Sequence, residues 1–168
     1  VQQSRVELAC HVDPAIPPSL NGDAARLQQV LTNLIGNAFK FTRQGCISVE
    51  AYPLESSAPD EYQVLFKVTD TGIGIPEDKV AELFQPFSQV STGQRREYQG
   101  AGLSLSICKK LVELMGGSIA LESEPDKGTT VHFGITFSVD ESGLKQEVVP
   151  PVVIKSTPLR ILLAEDDE

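Results

Sequence analysis

Val6, Leu8, Cys10 and Val12 alternate with other residues, so residues 4–12 read as a half-buried strand. Pro14, Pro17 and Pro18 then break the chain. From Asp23, which can cap a helix, the spacing becomes helical up to about Phe41. Leu27, Val30, Leu31, Leu34, Ile35, Ala38 and Phe41 share one broad side of that helix, its predicted core face. Alternation returns over 46–52 and 62–68, where Tyr62, Val64, Phe66 and Val68 share a face. The stretch between them, Glu55-Ser56-Ser57-Ala58-Pro59-Asp60, is a loop by composition, which predicts a hairpin. A glycine-rich turn follows at Asp70 to Pro76, then a short helix from Glu77 to about Phe84. Residues 85–102 are polar, carry glycine and have no period, as in a long loop. Leu103 to Met115 is helical in spacing and stops at Gly116-Gly117. Two last strands, Ser118–Ser123 and Thr130–Ser138, are joined by a turn at Pro125-Asp126-Lys127-Gly128.

Five strands and three helices that do not strictly alternate predict an α+β domain. It is a two-layer α/β sandwich, with a mixed, mainly antiparallel five-stranded sheet and three helices on one face. The domain is expected to span 1–138. Residues 139–158, with Gly143, Pro150, Pro151 and Pro158 among charges, read as a linker. Residues 159–168 begin a new apolar strand that runs into Glu165-Asp166-Asp167-Glu168.

A chain of 168 residues, 40% hydrophobic and 22% charged, can bury a core without disulfides. Its net charge of −9 is uneven. Residues 1–138 carry 11 basic and 16 acidic groups, and residues 139–168 carry 3 and 7. An acidic balance of this kind argues against general binding of nucleic acid or of an anionic membrane surface. It leaves room for a local anion site. No apolar run approaches the ~20 residues of a membrane span, and Val1 to Arg5 has no leader character. Cys10, Cys46 and Cys108 are odd in number and widely spaced, which fits thiols in a reducing compartment. A cytoplasmic domain is expected, with the full-length protein membrane-anchored or not.

Chemistry is concentrated in three places. Arg26, Asn33, Asn37 and Lys40 form a narrow polar stripe beside the core face of the first helix. Asn is a poor helix former, so its repetition asks for a reason. A carboxamide oxygen suits hydrated Mg²⁺, and a lysine suits a phosphate oxygen. Next, Asp70-Thr71-Gly72-Ile73-Gly74-Ile75-Pro76 puts an acceptor-only carboxylate at a strand end, beside glycines that allow close backbone approach. Such a carboxylate is a natural partner for the 6-amino group of adenine. Last, Gly100-Ala101-Gly102 opens a helix, whose first N–H groups attract anions. No Gly-Lys-Ser/Thr follows, so this is not a Walker loop, nor is it a G-x-G-x-x-G fingerprint.

In order, Asn33-x-x-x-Asn37-x-x-Lys40-Phe41-Thr42, Asp70-x-Gly72-x-Gly74-Ile75-Pro76, Leu83-Phe84-Gln85-Pro86-Phe87, Gly100-x-Gly102-Leu103 and Gly128-Thr129-Thr130 resemble the ATP-binding catalytic domain of sensor histidine kinases. The resemblance covers residues 4–138 and implies the Bergerat ATP-binding fold, with ATP under a mobile lid. It implies roles by position. Asn37, with Asn33, would hold Mg²⁺, and Lys40 would meet a phosphate. Asp70 would bond the adenine amino group, directly and through a water shared with Thr130. Gly72 and Gly74 would let the chain pass close to the base, with Ile75 beside them and Phe41 alongside the nucleotide. Phe84 and Phe87 would anchor the lid, Ser88 to Gln99. Gly100, Gly102 and Leu103 would hold the phosphates, with Arg95 or Arg96 reaching the γ-phosphate.

The related gyrase-type and MutL-type ATPases resemble this fold but place a Glu at the position of Asn33 to activate water. An amide cannot act as a general base, so the expectation is transfer to another acceptor. That acceptor would be a histidine on a separate dimerisation domain. His11 and His132 both lie in predicted strands and read as structural. The lid departs from the usual Arg-Lys-Tyr-Gly-Gly-Thr-Gly-Leu-Gly-Leu. Glu97 reverses a charge, Ala101 lacks a hydroxyl, and Ser104 adds a side chain where a glycine lets the helix pack closely. Each departure is worth on the order of 1 kcal/mol. They leave a regulatory nucleotide-binding module without catalysis as the alternative, beside a gyrase-like or MutL-like ATPase. Leu159-Arg160-Ile161-Leu162-Leu163-Ala164-Glu165-Asp166-Asp167 resembles the first strand and acidic pocket of a receiver domain. The parent is therefore expected to be a hybrid kinase, dimeric at full length, with a receiver domain as partner. Ile161 to Ala164 is expected to dock as an added strand.

Overall fold

Helix α1 (Ala24–Phe41) begins where Asp23 can cap it. The Asp23 carboxylate accepts from the Arg26 N–H at 2.9 Å, satisfying one of the donors that a helix start leaves open. At its far end the Thr42 N–H donates to the Ala38 carbonyl, and the chain leaves in extended conformation. The structure, a computed structural model, describes residues 6–55, 61–80, 82–85 and 103–139.

The strands are β1 (Val6–Val12), β2 (Leu20–Asn21), β3 (Gly45–Leu54), β4 (Glu61–Asp70), β5 (Ser118–Glu124) and β6 (Gly128–Val139). Two further helices are α2 (Glu77–Val80) and α3 (Ser104–Leu114). The sheet runs β1-β3-β4-β6-β2, and β5 also pairs with β6. Among the described strands only β1 and β3 run parallel to each other; the remaining pairs are antiparallel. Helix α1 packs over β3 and β4, α3 over β5 and β6, and α2 against β5. The two-layer α/β sandwich is as expected, but the described residues form a sheet of six strands and not five. The extra one, β2, has two residues facing Val139 and Ser138. A two-residue strand is too short to show alternation.

Register explains the core. Across the sheet Val49, Val68, Val131 and Leu121 stand in one row, and Ala51, Phe66, Phe133 and Ile119 in the next. The Phe66 and Phe133 rings stack at 4.9 Å between centroids. Onto these rows α1 lowers Val30 and Leu34, and α3 lowers Cys108 and Val112, all buried. Full burial of each Val, Leu or Phe side chain is worth about 1.5–3 kcal/mol. The opposite sheet face is polar. Glu50, Lys67 and His132 stand side by side there, with Lys67 Nζ 3.5 Å from Glu50 and His132 Nε2 3.8 Å from Glu122.

Strand β1 forms as its alternation predicts but is not half-buried. Leu8 and Val12 are 55% and 59% exposed. Their pairing with Ile47 and Ala51 puts them on the helix side of the sheet. The strand lies at the sheet edge, beyond the rows that α1 covers. Helix α3 stops as predicted: Gly116 adopts φ +71° and the Gly117 N–H returns to the Val112 carbonyl at 2.9 Å.

Candidate functional site

Strand β4 ends at Asp70, and the glycine turn that follows is tied down on two sides. Toward α1, the Ile73 N–H donates to the Phe41 carbonyl at 3.3 Å. Toward the β5–β6 hairpin, the Ile73 carbonyl accepts from the Asp126 N–H at 2.8 Å, and the Ile75 N–H donates to Ser123 Oγ at 2.8 Å. Ser123 Oγ in turn donates to the Gly128 carbonyl at 2.9 Å and lies 2.9 Å from Thr129 Oγ1. Gly74 sits at φ +63° with its missing Cβ directed onto the Glu124 carbonyl. A side chain at Gly72 would meet the Phe41 carbonyl and the Asp70 carboxylate. Both glycines are therefore required by close approach of backbone.

Asp70 shares the helix-side face with Val68 and with its cross-strand partner Thr129. Its Oδ1 accepts from the Gly72 N–H at 2.8 Å and lies 3.5 Å from the hydroxyl of the buried Thr42. Burial pushes the Asp70 carboxyl above its ordinary value. Backbone bonding at Gly72 and Thr129, and the Thr42 hydroxyl, pull it partly back. A half-buried carboxylate fixed by its own turn is a pre-oriented acceptor.

The polar stripe on α1 faces α3. Asn37 Nδ2 donates to Ser104 Oγ at 3.0 Å, and the same hydroxyl lies 3.3 Å from Asn37 Oδ1. One turn back, the Cys108 thiol donates to the Val30 carbonyl at 3.8 Å; burial pushes the thiol up to about 11, and the neighbouring Asn33 side chain pulls it partly back. A thiol held neutral in this way packs as a small apolar group. Lys40 Nζ lies 5.3 Å from the centre of the Phe41 ring. Arg26 does not join the set; it pairs with Asp23 at the start of the helix.

Thr130 is placed differently from its expected role. It pairs with Thr69, 3.3 Å away hydroxyl to hydroxyl, on the face opposite Asp70. Thr129 occupies the position beside Asp70. Leu103 precedes α3, its carbonyl accepting from Ser106 Oγ and from the Ile107 N–H, both at 2.9 Å. Phe84 has Lys109 Nζ 5.9 Å from its ring centre. Phe87, Arg95, Arg96, Gly100 and Gly102, the lid, the linker and the docking of Ile161 to Ala164 lie outside the described residues. An open apolar groove elsewhere, lined by Val12, Ile16, Leu20, Leu27, Phe66 and Phe137, contains none of the candidate residues.

The structure thus brings Asp70, Gly72, Gly74, Ile75 and the end of α1 into one bonded unit. The group types suit a nucleotide: an accepting carboxylate for an amino group, a carboxamide oxygen for hydrated Mg²⁺ and a donating ammonium for phosphate. No described helix is long and apolar enough to cross a membrane.

Residues 22–140 match the family described as histidine kinase-, DNA gyrase B-, and HSP90-like ATPase. The sensor histidine kinase RcsC of Escherichia coli (strain K12) is 46% identical over 129 residues, which are 77% of this chain and 13% of that protein. The sensory/regulatory protein RpfC of Xanthomonas campestris pv. campestris (strain ATCC 33913) is 41% identical over 137 residues, 82% of this chain and 19% of that one. The chain therefore spans less than a fifth of either relative. Among solved structures, full-length ShkA in complex with AMPPNP superposes with a TM-score of 0.68 at 32% identity, covering 80% of this chain and 26% of that one. The mycobacterial sensor histidine kinase MprB superposes with a TM-score of 0.61 at 25% identity, covering 79% and 83%.

Proposed function

Because the chain belongs to the histidine kinase-, DNA gyrase B- and HSP90-like ATPase family, we propose that it is the ATP-binding catalytic domain of a hybrid sensor histidine kinase. The observation that carries this reading is the Asp70 carboxylate, half-buried and bonded to its own glycine turn. It offers an acceptor to the 6-amino group of adenine and repels the 6-carbonyl of guanine. Asn37, with Asn33 next to it, would hold Mg²⁺, and Lys40 would meet a phosphate. Mg²⁺ bound with ATP supplies charge neutralisation at the phosphates. Thr129 stands on the same face as Asp70 and takes the role that the sequence assigns to Thr130. Gly100, Gly102 and Arg96 complete the phosphate side in this reading.

Asn33 has no basic atom with which to activate water. The γ-phosphoryl group is therefore destined for a histidine of a separate dimerisation domain. His132 lies within β6, on the sheet face away from α1, and His11 lies within β1, so neither suits the acceptor. A receiver domain following residue 158 would be the next station. RcsC and MprB are sensor histidine kinases, which favours this reading over a gyrase-like ATPase.

Calorimetry with Mg·ATP and Mg·GTP tests the reading. Mg·ATP should bind, and Mg·GTP should bind at least ~10-fold more weakly, since one charge-assisted bond is replaced by repulsion. Equal affinity for the two, or no heat with either at millimolar nucleotide, would refute it.

A further inference from the structure

Helices α1 and α3 meet along a seam that two side-chain bonds cross. The Cys108 thiol donates to the Val30 carbonyl beside Asn33, and Asn37 reaches Ser104. The two bonds differ in kind. Cys108 is fully buried and its weak thiol contributes little direction. Ser104 is only half-buried, and its hydroxyl lies against one edge of the Asn37 carboxamide, 3.0 Å from Nδ2 and 3.3 Å from Oδ1. A carboxamide has two nearly identical ends, and an unrestrained one can present either its oxygen or its NH₂. Only the oxygen can bind a cation.

We propose that Ser104 is a positioning residue for Asn37: its hydroxyl accepts from Nδ2 and donates to Oδ1 along one edge of the amide, which fixes the amide plane and holds the remaining lone pair of Oδ1 toward Mg²⁺. The proposal rests on the nucleotide reading above and adds to it the group that orients the metal-facing amide. A carbonyl oxygen has two lone pairs, so a hydroxyl along the amide edge uses at most one and leaves the other for the ion. Ser104 also opens α3, directly after the stretch assigned to the phosphates, so the same hydroxyl links that helix start to the metal-facing residue. Loss of the hydroxyl frees the amide to turn. The NH₂ end would then compete with the oxygen end for the cation-facing position.

The test compares Ser104→Ala and Ser104→Thr with the unaltered chain by calorimetry. ATP is titrated once with Mg²⁺ and once with a chelator. Ser104→Ala should lower Mg·ATP affinity about 3- to 10-fold, in line with one outer-sphere hydrogen bond, and leave metal-free ATP affinity unchanged. Ser104→Thr, which keeps the hydroxyl, should restore most of the loss. In an Asn37→Ala background, Ser104→Ala should have no further effect. Melting curves establish that each variant is folded. Ser104→Ala that binds Mg·ATP as the unaltered chain does would overturn the proposal. So would an equal loss with and without metal, or an effect that persists without Asn37. If the unaltered chain itself bound no ATP under either condition, the nucleotide reading would fall first and this proposal with it.

Discussion

Replacing Asp70 with Asn separates recognition from stability. Asn keeps an oxygen that can accept the Gly72 N–H, now bonded at 2.8 Å, so the turn has no reason to open. It loses the charge and presents an NH₂ where adenine also presents a donor. A hydrogen bond to a charged group is worth about 1.5–3 kcal/mol. At 1.4 kcal/mol per decade, Asp70→Asn should weaken Mg·ATP binding by roughly 10- to 150-fold. The effect on stability has the opposite sign. Burial raises the Asp70 carboxyl, so the folded state holds this proton more tightly than the unfolded chain does. The folded state is then favoured below the unfolded value, and that advantage is lost as pH rises through the higher folded value. At pH 7 wild type carries the cost of a half-buried charge, which Asn removes. Asp70→Asn should therefore melt at the same or a higher temperature than wild type at pH 7, and the margin should shrink as pH falls toward the ordinary carboxylate range. Calorimetry with Mg·ATP and melting between pH 4 and 8 measure both. Binding within about twofold of wild type would remove Asp70 from the nucleotide site. A clear drop in melting temperature at pH 7 would show that the charge supports the fold.

Gly74→Ala forces a left-handed backbone on a residue with a Cβ and drives that Cβ at the Glu124 carbonyl. It should cost about 2–4 kcal/mol in urea unfolding, and no loss would contradict the turn geometry. Asn33→Glu places a carboxylate against the seam beside Cys108. It should lower the melting temperature without producing rapid phosphate release from ATP. Brisk hydrolysis by this variant, followed with a coupled phosphate assay, would show that only the base was missing.

Element identity was legible because it is local. Helix α1 carries its own cap and stripe, and α3 its glycine stop. Burial of β1 was not legible, since alternation reports that one face is apolar but not whether anything covers it. Leu8 and Val12 lie on the helix side of the sheet, yet both stay more than half exposed among the described residues. Strand β2 has too few residues to show a period. The exchange of Thr129 for Thr130 has the same root. The turn at 125–127 sets the register of β5 on β6, β4 sets the other side, and one residue of shift moves a side chain to the opposite face. Asp70, Gly72 and Gly74 were visible as a compact motif at a strand end, although the Phe41 and Glu124 carbonyls that require the two glycines come from distant parts of the chain. The Asn37–Ser104 pair joins residues 67 apart and becomes visible only when the two helices are packed. Ser104 stood out in the sequence merely as a departure from a pattern.

The central claim is that this domain donates the γ-phosphoryl group of ATP to a histidine it does not itself contain. The most direct measurement incubates the chain with γ-labelled Mg·ATP, alone and with the histidine-bearing dimerisation domain of its own parent kinase. Acid-labile label should appear on the dimerisation domain only, and the chain alone should remain unlabelled and release little free phosphate. Acid-labile label on the isolated chain, or steady release of phosphate without transfer, would contradict the account.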